Sequence, residues 1–296
     1  MTALMWHPRV TDRRLRDLCA DRPVVITGAG SGMGRELACR LARCGAVLEL
    51  SDVDGAGLES TAALCRRPGT SVRTHRVDVV DMQAVRDHAD DVVARRGPPS
   101  LVVNNAGITM VAGILDEDDE YSRRVMSVNF TGMVNGTRAF LPYLRRAGGG
   151  HIVNMSSAFG LLGSPAQASY CASKFAVRGF TQTVQDELRA AKSGVGVHVV
   201  YPGAVHTPIA RTARYMDPGV RDYVTHGFDR RLPGTRPAAA AVAILAGVLA
   251  GRDRILVGID ARAIDIIARV FAGEVLRPLG ILERPVFGPV VGRRDG

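Results

Sequence analysis

Short apolar runs alternate with amphipathic stretches along most of the chain. Pro23 to Thr27, Ala46 to Ser51, Leu101 to Val103, His151 to Met155, Val195 to Tyr201 and Arg254 to Val257 are brief and rich in valine, leucine and isoleucine, and the more polar Ser71 to Val77 has the length of a third strand. Runs of that length and composition read as strands buried in a sheet. Between them the period changes. Leu37, Ala38, Leu41 and Ala42 mark one helical face within Glu36 to Cys44, and Gly45 stops it. Helical segments are also expected over 81–96, roughly 117–146, around Tyr170 and over 238–251. Strand and helix alternate with no linker, repeat or low-complexity block, which predicts one α/β domain with a doubly wound, mostly parallel sheet over residues 23–258.

Two flanks fall outside that pattern. In residues 1–22, Val10, Leu15, Leu18 and Cys19 share a helical face that either packs on the domain or a partner subunit, or stays disordered. In 259–296, Ile264, Ile267, Ala268 and Phe271 form a stripe suited to core or subunit packing rather than to a membrane. Residues 204–235 have little periodicity yet carry Ile209, Tyr215, Met216, Tyr223, Phe228 and Leu232. A loop that long and apolar is expected to be a lid or binding loop, and it points to an apolar substrate.

Candidate chemistry begins at the first strand, which runs into Gly28-Ala29-Gly30-Ser31-Gly32-Met33-Gly34; the second strand ends at Asp52. A strand, glycine turn, helix and second strand closing on an acid is the context of a dinucleotide site, with the pyrophosphate at the helix N-terminus. Asp52 would accept hydrogen bonds from ribose hydroxyls and repel a 2′-phosphate, and Ser31 offers that phosphate no positive charge. The expected cofactor is NAD rather than NADP. Asp78 and Val79 follow the third strand, where an adenine edge would lie. After the fourth, Asn104-Asn105-Ala106-Gly107 either caps a turn or walls the cofactor site, and the two roles are compatible.

The second chemical signal is Tyr170-Cys171-Ala172-Ser173-Lys174, with Ser157 thirteen residues before the tyrosine. On a helix Tyr170 and Lys174 lie on one face about one turn apart. A cation beside a phenol favours the phenolate and draws its pKa down from ~10. The chain has 36 arginines and two lysines, so a lysine at 174 suggests a task needing a compact ammonium rather than a planar fork. Ser157, at the end of a strand, is placed to hold a carbonyl oxygen while Tyr170 gives or takes its proton.

Composition narrows the field. The formal charge of +9 comes from arginines scattered among 29 acids, with no basic stripe interleaved with aromatics, so nucleic acid is not an expected partner. Five cysteines, at 19, 39, 44, 65 and 171, form no CxxC pair and read as thiols of a reducing compartment. The first residues lack a secretory pattern, and the 238–251 run is too short to span a bilayer, so a cytoplasmic location is expected. No Gly-x-Ser-x-Gly elbow, HExxH or Cys/His cluster points to a hydrolase or a metal site.

Together, Thr27-Gly28-x-x-x-Gly32-x-Gly34, Asp78-Val79, Asn104-Asn105-Ala106-Gly107, Asn129, Ser157, Tyr170-x-x-x-Lys174 and Pro202-Gly203 resemble the short-chain dehydrogenase/reductase family, over about residues 23–258. The resemblance implies a Rossmann-fold oxidoreductase interconverting a secondary alcohol and a ketone. It implies Tyr170 as general acid/base, and Lys174 lowering its pKa while bonding the nicotinamide ribose. Ser157 would orient the substrate oxygen, and Asn129 would support a water-linked proton relay to Lys174. Gly28, Ser31, Gly32, Met33, Gly34, Asp52, Asp78, Val79, Asn105, Ala106, Gly107, Pro202, Gly203, Val205 and Thr207 would complete the cofactor site, with Thr207 at the carboxamide. A homo-oligomer, tetramer or dimer, is the family expectation. The rival reading is a dinucleotide-binding sensor or scaffold without catalysis, although every catalytic position is filled.

Overall fold

The computed structural model describes residues 11–19, 22–216, 221 and 234–270. Val10, Tyr223, Phe228, Leu232 and Phe271, named above, lie outside them. The chain begins with helix α1 (Asp12–Cys19) and strand β1 (Val24–Thr27), then α2 (Gly32–Ala42), β2 (Val47–Asp52), α3 (Gly55–Cys65), β3 (Ser71–Arg76), α4 (Met82–Arg96) and β4 (Leu101–Asn104). A two-residue strand β5 (Met110–Val111) precedes α5 (Asp119–Met126), a π-helical turn (Ser127–Thr131) and α6 (Gly132–Arg146). The second half holds β6 (Gly150–Met155), a 3-10 turn (Ala158–Gly160), α7 (Ala168–Ala190), β7 (Val195–Pro202), another 3-10 turn (Pro208–Ala210) and β8 (Arg214–Tyr215). Helix α8 (Pro237–Leu249), β9 (Arg254–Val257) and α9 (Ile259–Val270) complete the described chain.

Seven strands form one parallel sheet in the order β3-β2-β1-β4-β6-β7-β9. Successive side chains on a strand point to opposite faces, so each strand feeds two cores. Val24, Ile26, Leu101 and Val103 pack with Leu37 and Leu41 of α2 and Ile244 and Leu245 of α8 on one face. Val25, Val102 and Ile152 pack with Val92 of α4, Phe140 and Leu144 of α6 and Val184 and Leu188 of α7 on the other. Burial on both faces is why these strands read as unbroken apolar runs. The chain winds outward from β1 to β3 and then returns to build β4 to β9 on the other side, so the winding reverses between β1 and β4. A crevice opens there at the strands' carboxyl ends.

Three local features depart from the sequence pattern. Helix α3 begins Gly55-Ala56-Gly57 and is dominated by small residues, which leaves no amphipathic stripe; Asp54 starts it by accepting from the Gly57 N–H at 3.0 Å. The 117–146 segment is two helices joined by the π-helical turn. The 204–216 stretch is tied to the body by β8, which pairs in parallel with β5. Among the described residues, no helix is long and apolar enough to cross a membrane.

The sheet also buries histidines. His88 on α4 is 6% exposed, neither ring nitrogen has a hydrogen-bond partner, and burial pushes its pKa down to about 3. On the other half of the sheet, the His151 and His198 rings are hydrogen-bonded to each other at 2.9 Å, and burial pushes His151 down to about 4. A base whose pKa is depressed by folding must stay neutral in the native state. The unfolded chain takes up the proton near pH ~6.5, so stability falls as pH drops below that value toward the folded pKa. His88 alone is expected to cost about 2 kcal/mol between pH 7 and pH 5. Urea unfolding of the wild type and His88→Leu at both pH values checks this: the variant should lose less on acidification, and equal losses would contradict the assignment.

Candidate active site

The crevice is a cavity of about 500 Å³ that extends from Asp52 to Tyr170. Its first wall is the turn after β1. Gly28 and Gly32 adopt left-handed φ angles of +63° and +53°, which favour glycine. Gly34 is required for a different reason. A Cβ there would sit 2.2 Å from the Gly28 carbonyl oxygen and 2.7 Å from the Asn105 amide nitrogen, so the α2 N-terminus comes this close to the turn only without a side chain.

Asp52 anchors the far end. Its two carboxylate oxygens accept from the Gly30 N–H at 2.8 Å and the Asp54 N–H at 3.0 Å, which fixes the carboxylate at the cavity margin. Across the crevice, the Asn105 side chain donates to the carbonyls of Thr27 (3.1 Å) and Gly28 (2.9 Å), while the Asn105 and Ala106 N–H groups donate to the Thr27 hydroxyl. Capping and cavity wall are here the same structure. Asp78 and Val79 line the cavity too, and the Val79 carbonyl accepts from the buried Asn135 amide at 2.9 Å. This cradle of glycine backbone, open helix N-terminus and fixed carboxylate suits a dinucleotide.

At the other end, Ser157 follows β6, and its hydroxyl caps the 158–160 turn by accepting from the Phe159 N–H at 3.1 Å. That turn lies hard against α7. A Cβ at Gly160 would meet the Lys174 carbonyl oxygen at 2.7 Å, and the Ser156 hydroxyl donates to the same oxygen at 2.8 Å. The contact brings Ser157 beside Tyr170, whose ring also stacks edge-on with Phe159 at 6.4 Å. Lys174 is 4% exposed; its ammonium donates to the Met155 carbonyl at 3.0 Å and stands 5.5 Å from the Tyr170 ring centre.

The electrostatics differ from the sequence expectation. Burial pushes the Tyr170 phenol up to about 12, against the downward pull of the neighbouring Ser157 hydroxyl, and burial pushes Lys174 down to about 8. Desolvation is the dominant influence on both groups, and it favours the protonated phenol and the neutral amine.

Asn129 does not line the cavity. It is 1% exposed within the π-helical turn, where its side chain accepts from the Ile108 N–H (2.9 Å) and donates to the Ile108 carbonyl (3.0 Å) and the Ser173 hydroxyl (3.0 Å). A Cβ on Gly107 would lie 3.2 Å from the Asn129 oxygen and 3.5 Å from the Lys174 ammonium, so both flank the same backbone position. Ser31, Gly32, Met33, Gly107, Pro202, Gly203, Val205 and Thr207 all line the cavity.

Three contributors were not legible in the sequence. Glu117 accepts from the Ser169 N–H at 3.2 Å and from the Ser169 hydroxyl, capping α7 one residue before Tyr170. Asp260 accepts from the Ala204 N–H and, with Ile264, brings α9 to the cavity from beyond residue 258. Gln167, 5% exposed, accepts from the Thr109 hydroxyl at 2.8 Å, and both line the cavity. A carboxylate just ahead of a helical pattern was the signal available for Glu117; Asp260 and Gln167 gave none.

A model of the short chain dehydrogenase family matches residues 22–217. SadH of Mycobacterium tuberculosis, named provisionally as an oxidoreductase, is 44% identical over 253 residues, covering 86% of this chain and 92% of SadH. Human estradiol 17-beta-dehydrogenase 11 is 38% identical over 185 residues, 62% of each chain. Among solved structures, a short chain dehydrogenase/reductase from Burkholderia phymatum in complex with NAD superposes with a TM-score of 0.78 at 30% identity, over 88% of this chain and 96% of that one.

The cradle's geometry makes Gly34 its least replaceable backbone position. Gly34→Ala is expected to destabilise the protein by about 1–3 kcal/mol, because the clash is with backbone that cannot rotate away. Denaturant unfolding reads the loss, and an unchanged midpoint would mean that the turn and α2 are not packed as described.

Proposed function

The chain belongs to the short-chain dehydrogenase family, and from that footing we propose that it transfers hydride reversibly between NAD and an apolar secondary alcohol or ketone. The observation that carries the reading is the convergence of Ser157, Tyr170 and Lys174 at one end of a cavity whose other end is the Asp52 cradle. The nicotinamide ring supplies or accepts the hydride when bound.

The chain's own residues handle the oxygen and its proton. Ser157 holds the substrate oxygen by hydrogen bonding. Tyr170, protonated at neutral pH, delivers its phenolic proton to that oxygen as a ketone is reduced, and the phenolate takes it back in the reverse direction. Lys174 places a positive charge behind the ring and favours the phenolate as it forms. Asn129 fixes the π-helical turn against Ile108 and Ser173, which holds the Lys174 side of α7 in register.

Asp52 supports NAD over NADP, since its carboxylate is pinned where a 2′-phosphate would add like charge. Substrate polarity follows from Ile108, Val111, Phe159, Ile209, Tyr215 and Ile264 in the cavity lining. The human relative is named for estradiol, and its name points the same way.

Two measurements test the reading. In fluorescence titrations NADH should bind about tenfold or more tighter than NADPH, with Asp52→Asn narrowing the gap; a wild type that prefers NADPH would contradict the Asp52 argument. Tyr170→Phe should lower kcat by about 10²-fold or more on an apolar secondary alcohol while NADH affinity stays within error. A variant that retains more than about a tenth of the rate would remove Tyr170 from the proton transfer.

A further inference from the structure

Helices α2 and α3 meet along a seam with a repeating register. Arg35 of α2 donates to the Thr61 hydroxyl of α3 at 2.9 Å and also to the carbonyls of Gly30 and Gly57. One helical turn further along both helices, the Cys39 and Cys65 sulfurs lie 3.8 Å apart. Cys65 is fully buried, whereas Cys39 is half-buried. Arg35 stands one turn before Cys39 on α2, and Arg43, which caps the end of α2, stands one turn after. The Cys65 thiol as hydrogen-bond partner, with these two guanidiniums, holds the Cys39 thiol below its ordinary value, while Cys65 is held above. A half-buried cysteine with a lowered thiol pKa and a buried second sulfur at contact distance are the parts of a thiol–disulfide site.

We propose that Cys39 and Cys65 form a peroxide-responsive pair that closes into a disulfide across the α2–α3 seam. The Cys39 thiolate attacks one oxygen of hydrogen peroxide; the S–O bond forms, the O–O bond breaks, and the departing hydroxide leaves as water with the proton that the Cys39 thiol released. The Cys65 sulfur then attacks the Cys39 sulfur. The S–S bond forms, the S–O bond breaks, and the hydroxide departs as water with the Cys65 proton. Two thiols lose two electrons, and one peroxide becomes two waters.

The same seam sets the adenosine end of the crevice. Gly30, whose carbonyl Arg35 holds, donates its N–H to Asp52, and Gly57 holds the start of α3 beside it. Closing the sulfurs from 3.8 Å to about 2.05 Å tightens the α2–α3 contact one turn away from that anchor. Dinucleotide affinity therefore falls in the oxidised form, a consequence that rests on the NAD reading above.

The test treats the full chain with hydrogen peroxide, blocks remaining thiols and maps peptides by mass spectrometry. The expected product has lost two hydrogens, links the Cys39 and Cys65 peptides and reverts with dithiothreitol. Cys39→Ser and Cys65→Ala should each abolish the link, and Cys19→Ser should not. Cys39 trapped as a sulfinic or sulfonic acid with Cys65 still free, or a link through Cys19 or Cys44, would overturn the proposal. The oxidised protein should also show an NADH Kd raised about fivefold or more, restored on reduction. An unchanged Kd would overturn the coupling. Failure of the reduced protein to bind NADH at all would strike the NAD reading and leave the mapped disulfide standing.

Discussion

The structure depends on how the carboxyl ends of β1 and β4 are held where the sheet changes direction. Two parallel strands that feed helices on opposite faces leave their ends unsupported, because no crossover covers them. Here Asn105 and Thr27 supply the support: one side-chain amide spans to two carbonyls, and one hydroxyl takes two backbone N–H groups. Those bonds set the separation of the two strand ends, joining residues nearly eighty positions apart in the chain, and every one of them has a backbone group as donor or acceptor. Everything that the glycine turn and Gly107 present to a ligand is referred to this staple.

A second polar framework runs through the interior behind the Ser157–Tyr170 end of the crevice. Asn104 and Asn154 are paired in register on β4 and β6, joined at 2.8 Å, and Asn154 reaches Thr181 of α7 at 3.1 Å, while Asn104 reaches Thr137 of α6 at 3.1 Å. All four are essentially buried. Apolar packing alone would let α6 and α7 slide along the sheet at little cost, since valine against valine has no preferred phase. Directional bonds between buried amides and hydroxyls fix that phase. Ser157, at the end of β6, and Tyr170, on α7, therefore meet at a set position.

Much of this was legible in the sequence for physical reasons. Strands buried on both faces leave continuous apolar runs, so the central sheet could be read from Val24 to Val257. Turns that demand glycine, and a tyrosine and lysine one helical turn apart, write their geometry directly into residue spacing. What stayed hidden depends on long-range contact. Glu117 caps a helix that starts some fifty residues later, and Asp260 reaches back to Ala204 from a helix outside the expected domain. The environment of the Tyr170 phenol was hidden in a similar way. Spacing shows the nearby ammonium but not the burial that raises the phenol's pKa.

The π-helical turn from Ser127 to Thr131 has an evolutionary corollary. Such a turn holds one residue more than the regular helix, so the helix beyond it is rotated by about 100° relative to the helix before. The turn puts Asn129 toward Ile108 and Ser173 while α5 and α6 each keep their own apolar face inward. Deleting a single residue here would restore an unbroken α-helix, a locally more regular arrangement, and would put the two faces out of phase. The reading frame of side-chain orientation is thus stored in one surplus residue. Within this segment a change of length therefore disturbs more of the packing than a change of any one side chain other than Asn129.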